Sequence, residues 1–190
     1  MGTTPVSPTP AAEIARLVEE MAKANRKPTD TDITAVVKEL ARMFSVKHDE
    51  VAVLEVVQNG TILSFVYPPR LKMAGVIPLT NTNSLATRTV REKRPEMINN
   101  FPAQKHPTIF ESIALEEKAD AKAAAGAPKA ERHPIQKIMS VPLLIEGKAV
   151  GVIQVSRKGK SPTTAGADFT IRDLTSLVTT AGIIAKCLKK

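Results

Sequence analysis

Apolar positions along the chain recur at two spacings, one helical and one alternating. Ile14, Leu17, Val18 and Met21 fall at i, i+3, i+4 and i+7, which predicts an amphipathic helix over about 11–24. Asn25-Arg26-Lys27-Pro28 ends it. Thr29-x-x-Asp32 has the spacing of a capping box and opens a second helix, with the stripe Ile33, Val36, Val37, Leu40 and Met43 or Phe44, closing near Ser45. Residues 51–57 and 61–67 are rich in Val, Ile and Leu and flank Asn59-Gly60. Asn-Gly tolerates the positive φ of a tight turn, so the two runs read as a hairpin. Pro68-Pro69 stops the second strand, and residues 71–80 read as extended or irregular. A short helix runs from Ser84 to about Lys93 with Leu85, Ala86, Thr89 and Val90 inward. Arg94-Pro95 closes it, and Met97-Ile98-Asn99 is a short strand.

The second half repeats the grammar. Residues 137–145 and 148–156 are two apolar strands around Glu146-Gly147, with Met139, Val141, Leu143 and Ile145 alternating on one face. Thr170-x-x-Asp173 caps a final helix. That helix carries apolar residues on more than one side. Ile171, Leu174, Val178, Ala181 and Ile184 are assigned to the core, and Leu177, Ile183 or Leu188 to a partner. Residues 110–115 start another helix, whereas 116–134 mixes charge with Ala, has no apolar stripe and contains Gly126-Ala127-Pro128. It reads as a mobile excursion, either a lid or a surface insertion. Residues 1–10, with three Pro and three Thr, read as a disordered leader, and 11–190 as a single domain. Hairpins near both ends with helices between and after them predict an α+β fold, an antiparallel sheet covered by helices.

Composition narrows the chemistry. Aromatics are 3% with no Trp, so the core is aliphatic. No apolar run approaches the ~18 residues of a membrane span, and the first residues lack the blocks of a secretory signal, so a cytoplasmic protein without membrane contact is expected. The net charge of +8 is unevenly placed. Residues 1–50 hold seven basic and eight acidic groups, residues 151–190 seven basic and two acidic. The late excess, Arg157, Lys158, Lys160, Lys186, Lys189 and Lys190, is far from Tyr67, the one tyrosine, and the Phe residues fall mostly in apolar contexts rather than as stacking groups. It reads as a solvated basic surface rather than a nucleic-acid site.

The run Ile77-Pro78-Leu79, the helix Ser84 to Val90, Glu96-Met97-Ile98-Asn99-Asn100, the hairpin Ser140-Val141-Pro142-Leu143 to Gly151-Val152-Ile153-Gln154-Val155, and Asp168-Phe169-Thr170 with Asp173-Leu174 together resemble a GAF domain over residues 30–188. The resemblance implies an α/β sandwich. Its central antiparallel sheet would have about five or six strands, with the terminal helices packed on one face and a small-molecule pocket on the other. It also implies dimer contacts through the terminal helices. Domains of this kind that carry bilins or reduce free methionine-R-sulfoxide need cysteines near the pocket. Here the one cysteine is Cys187, in the last helix, where it reads as a buried hydrophobe; Lys186 and Lys189 beside it leave a reactive thiol as the other reading. The Asn-Lys-x-Phe-Asp-Glu run of cyclic-nucleotide binders is absent.

No catalytic constellation appears in the sequence. His48, His106 and His133 share no metal-ligand spacing, and neither a Gly-x-Ser-x-Gly elbow nor a Gly-x-x-x-x-Gly-Lys loop occurs. Binding remains. Thr80 to Ser84 and Arg88 cluster before and on the short helix, where hydroxyls, amides and a guanidinium suit a polar or anionic ligand; the same residues also suit simple helix capping. The candidate ligand residues are Tyr67, Thr82, Asn83, Ser84, Arg88 and Met139, with no cofactor identified and no metal. The expected function is a non-enzymatic sensory domain, homodimeric through its terminal helices, that binds a small molecule and signals through an unidentified output protein. A ligand-free dimerisation or relay module is the alternative.

Overall fold

A computed structural model describes residues 8–73, 75–103 and 133–188. Most of the expected leader, His106, the expected helix start at 110–115 and the excursion up to residue 132 lie outside the described residues.

Local chemistry sets the element boundaries. Helix α1 (Pro10–Lys23) starts where Thr9 Oγ1 accepts from the Ala12 N–H at 3.3 Å. Helix α2 (Asp30–Phe44) opens on the expected capping box. Thr29 Oγ1 accepts from the Asp32 N–H, and the Asp32 carboxylate accepts from the Thr29 N–H at 2.7 Å. The same carboxylate takes both arms of Arg26 at 2.6 and 3.2 Å. Strands β1 (Val51–Val57) and β2 (Ile62–Tyr67) form the first hairpin, but its link is longer than a two-residue turn: Gln58, Asn59 and Gly60 all have positive φ. Strand β3 (Val76–Pro78) lies in the stretch read as extended or irregular and pairs with β2 from Ile62 to Ser64. Helix α3 (Leu85–Glu92) and strand β4 (Glu96–Ile98) follow. Strands β5 (Ile135–Ile145) and β6 (Lys148–Lys158) turn at Glu146 and Gly147, both at positive φ. Helix α4 (Ile171–Ala185) begins on the second capping box, at Thr170 and Asp173.

The six strands form one antiparallel sheet in the order β3-β2-β1-β6-β5-β4. Helices α1, α2 and α4 cover one face. Ile14, Val37, Leu40, Met139, Leu143, Ile153, Val155, Leu177 and Ile184 pack there. The chain must then carry β3, on one edge, to β4, on the other, and α3 makes that crossing over the opposite face, against β5 and β6. Ala86 and Val90 pack on Leu54, Leu63, Phe65 and Val152.

The start of α4 is tied down from three sides. The Asn99 side chain exchanges two hydrogen bonds with the Phe169 backbone, each 2.9 Å. The Arg157 guanidinium lies 4.7 Å from the Phe169 ring centroid and donates to the Phe44 carbonyl at the end of α2 at 3.0 Å. Buried Lys137 reaches the Gly166 carbonyl and the Asp168 carboxylate, each at 2.6 Å.

This seating corrects the expected phase of α4. Leu177, Ala181, Ile184 and Ala185 face inward, while Val178 is 41% and Ile171 70% exposed. Two apolar stripes of similar quality lie on this helix, and the tether at Phe169 selects the one that turns onto β5. Cys187, just beyond α4, is buried against the helix layer and donates its S–H to the Ile184 carbonyl at 2.9 Å. Burial pushes its thiol up to about 11, with a smaller contribution from the Asp32 charge.

Three expectations follow. A Cβ on Gly151 would sit 2.3 Å from the Leu54 carbonyl oxygen, so Gly151→Ala should lower the denaturant midpoint by the equivalent of about 2 kcal/mol or more. Cys187 should resist a thiol reagent at pH 8 in the folded protein and react stoichiometrically in guanidinium; rapid labelling of the native protein would contradict its burial. Arg26, together with the Thr29 donors, holds Asp32 well below the usual carboxylate range. A carboxyl whose folded value is lowered stabilises the fold above its unfolded value, and that contribution fades as pH falls below about 4. Asp32→Ala should therefore cost about 1 kcal/mol at pH 7, with a deficit that narrows in acid unfolding titrations.

Candidate functional site

The polar residues on the α3 face form two groups. The first surrounds the start of α3. The Asn81 side-chain oxygen accepts from the Asn83 N–H at 2.9 Å, turning the chain, and Ser84 Oγ caps the helix by accepting from the Thr87 N–H at 3.5 Å. The Thr87 hydroxyl lies within reach of the carbonyls of both Ser84 and Asn81 and shares its one proton between them, tying the loop to the first turn. Thr82 and Asn83 are exposed at its tip, and Ser84 is buried. One turn further on, Arg88 donates from Nε to Glu96 Oε1 at 2.8 Å and from Nη2 to Oε2 at 2.6 Å. Its guanidinium therefore forms a two-point pair with β4, with each side chain about one quarter exposed.

The second group is buried where α3 crosses the hairpin. Thr89 Oγ1 donates to the Leu85 carbonyl at 2.9 Å and lies 2.7 Å from Ser140 Oγ. Thr89 has a single hydroxyl proton, so Ser140 is the donor between them. Ser140 Oγ in turn accepts from Gln154 Nε2 at 3.3 Å, across the β5–β6 ladder where the two residues are directly paired. Three uncharged polar side chains from three elements thus meet beside the apolar clusters formed by Leu54, Leu63, Phe65 and Val152 and by Leu85, Ile98 and Ile138.

Of the six candidate ligand residues, four come together: Thr82, Asn83, Ser84 and Arg88, in the α3 loop and first turns. Tyr67 and Met139 lie on the other side of the sheet, in the core beneath the terminal helices. Met139 follows the regular alternation of β5. Tyr67 does not share a face with Leu63 and Phe65 because the β1–β2 register shifts: Val53 pairs with Tyr67 and Leu54 with Phe65, leaving Val66 as an extra residue. Burial raises the Tyr67 hydroxyl above its ordinary value, with a smaller contribution from the Asp49 charge. Thr89 is read from the sequence as an inward helix position, and Glu96, Ser140 and Gln154 as members of the runs that carry the resemblance, but none of the four as a candidate ligand residue. Ser140 and Gln154 were discernible there as polar breaks in two otherwise apolar strands.

Elsewhere, a cleft of about 190 Å³ lies between α1 and α2, lined by Leu17, Met21, Arg26, Asp32 and others. Another, of about 240 Å³, lies where the start of α2 meets β1 and β2. Neither includes an α3 residue. Among the described residues no group of three His, Cys, Asp or Glu side chains could hold a metal ion, and no helix is long and apolar enough to cross a membrane.

Several solved structures share the architecture. The GAF domain of a phosphoenolpyruvate-protein phosphotransferase from Acinetobacter is 15% identical at a TM-score of 0.61, over 96% of this chain and 94% of that one. Residues 122 to 287 of a methyl-accepting chemotaxis protein are 18% identical at 0.58, over 90% and 93%. Free methionine-R-sulfoxide reductase from Neisseria meningitidis, in complex with its substrate, is 14% identical at 0.57, over 99% and 95%. At such identities the likeness is one of fold. No curated protein matches the chain by sequence. The family model of the GAF domain matches residues 29–188, from the cap of α2 to the end of the turn after α4. With that match over most of its length, and with the six-stranded sheet between α3 and the terminal helices, the chain belongs to the GAF domain family, whose members are sensory and regulatory domains.

Proposed function

We propose that this protein is a non-catalytic, cytoplasmic sensory module. It binds a small polar molecule on the α3 face of its sheet and relays occupancy, as a homodimer built on its terminal helices, to a separate output protein. The observation that carries the reading is the Thr89–Ser140–Gln154 network beside the Arg88–Glu96 pair. Buried hydrogen-bonding groups on an apolar wall give orientation and selectivity to a small ligand. Glu96 already occupies the guanidinium fork of Arg88, so an anionic ligand would have to displace a carboxylate; a neutral or zwitterionic ligand would not. In this reading Tyr67 and Met139 support the platform from below. The non-catalytic assignment is supported by the position of Cys187, buried behind the opposite face with a raised pKa, where it makes a poor nucleophile.

A second reading, a ligand-free dimerisation or relay module, is favoured by a different observation. Helix α4 turns apolar side chains to solvent, and neither cleft touches α3.

Native mass spectrometry of the purified protein separates the two. The sensory reading expects a dimer carrying a discrete added mass. Replacing both partners of the ion pair, Arg88→Ala with Glu96→Ala, avoids stranding one half-buried charge and should remove that mass while leaving the dimer intact. An apo dimer that also shows no thermal shift with a panel of neutral and zwitterionic metabolites would shift the assignment to the relay module.

A further inference from the structure

The helix layer stops short of the outer strands. One cross-strand row on its side of the sheet runs Leu143, Gly151, Glu55, Ser64 and Val76, by direct pairing from β5 to β3. Leu143 is fully buried under the helices, whereas Val76, at the far end, is 47% exposed. Between them opens the cleft of about 240 Å³, with the sheet residues Glu55 and Ser64 as its floor. Ile33 of α2 and Leu188, after α4, give it an apolar wall. At its rim lie Lys27, in the turn between α1 and α2, and the ion pair of Lys72 with Asp30.

Glu55 breaks the pattern of its strand. Val51 and Val53, which share its face of β1, belong to the helix-side core. A carboxylate is disfavoured in a strand and loses solvation when half-buried, as Glu55 is. Other charged groups removed from solvent in this fold are answered: Glu96 by Arg88, Lys137 by Asp168, and Glu50 by the N–H groups of Lys47 and Lys158. Among the described residues the Glu55 carboxylate and the Ser64 hydroxyl have no hydrogen-bond partner, although the two residues pair directly across the strands. Among those residues the Lys27 ammonium has no carboxylate either.

The charge pattern narrows what fits. Asp30 and Lys72 answer each other, which leaves one anion in the floor and one cation at the rim. A polyamine would satisfy Glu55 but meet Lys27 and Lys72, and an anion would satisfy Lys27 but meet Glu55. A divalent cation would find a single free carboxylate. A molecule carrying both charges meets none of these objections. The cleft is smaller than the roughly 300 Å³ at which pockets for drug-sized ligands begin, so that molecule is small.

We propose that this cleft is a second small-molecule site, for a compact zwitterion of the free amino-acid class. The ligand's ammonium donates to the Glu55 carboxylate and the Ser64 hydroxyl, its carboxylate accepts from Lys27, and its side chain lies against Ile33 and Leu188. The site is on the opposite face of the sheet from α3, so it stands or falls independently of the ligand proposed there.

The test is amide correlation NMR of the full chain, titrated with the standard amino acids one at a time to millimolar concentration, with calorimetry on those that bind. The amides of Lys27, Ile33, Glu55 and Ser64 should shift together and saturate. The N-acetyl and methyl-ester derivatives of a bound amino acid each lack one charge and should bind roughly tenfold more weakly or worse. Lys27→Gln should weaken the amino acid but not its methyl ester. Glu55→Gln should also weaken binding by roughly tenfold or more, while the melting temperature of the ligand-free protein stays level or rises, because that carboxylate gives up no partner. A glutamate present only for the fold would show the opposite pair. Unmoved amides at the cleft with every amino acid, or unchanged affinity in Glu55→Gln, would overturn the inference. Shifts confined to the α3 loop would overturn it too, while supporting the α3 site.

Discussion

The fold depends on inserting β6 between β1 and β5. It is the last strand in the chain, yet it joins the two halves of the sheet: β3, β2 and β1 hang on one side of it, and β5 and β4 on the other. Val51 to Glu55 pair with Val155 to Gly151, and the full length of β5 pairs with its other edge. Space for that insertion is narrow at Gly151, where β1 approaches closely. The insertion also sets the register of both faces. Ile153 and Val155 point into the helix layer, while Val152 and Gln154 point towards α3. A slip of one residue would bury Gln154 among aliphatic side chains and deprive the helices of their platform. The helix layer and the polar network under α3 are therefore two consequences of one pairing.

Much of this was legible because it is local. Both hairpins, both capping boxes and the Ser84 cap are written in four or five adjacent residues, and their hydrogen bonds form within those residues. What was missed depends on distant partners. Strand β3 is three residues ending in proline, with no periodicity to read, and exists because β2 offers it an edge. The face of Tyr67 turns on a single extra residue at Val66 that alternation cannot foresee. Arg88 was visible, but its engagement by Glu96 required β4 to return alongside β5. Helix α4 shows the same limit in another form. Its apolar residues admit two inward stripes, and the choice is made by Asn99, seventy positions away, through its hold on Phe169.

That last contact also links the α3 face to the start of α4. Glu96, which holds Arg88, and Asn99, which holds Phe169, lie at the two ends of β4 and the residue after it. Phe169 immediately precedes the Thr170 cap of α4, and Arg157 stacks on its ring while holding the last carbonyl of α2. A short edge strand, paired over three residues and bounded by Pro95, thus connects the side chains of the α3 face to the start of α4. Edge strands are among the least constrained parts of a sheet, because only one side is hydrogen-bonded. A small displacement of β4 need not disturb the β1–β6–β5 centre to alter how α4 is seated. For the relay proposed here, that matters more than distance: the route runs along one edge strand and leaves the central pairing on which the fold depends untouched.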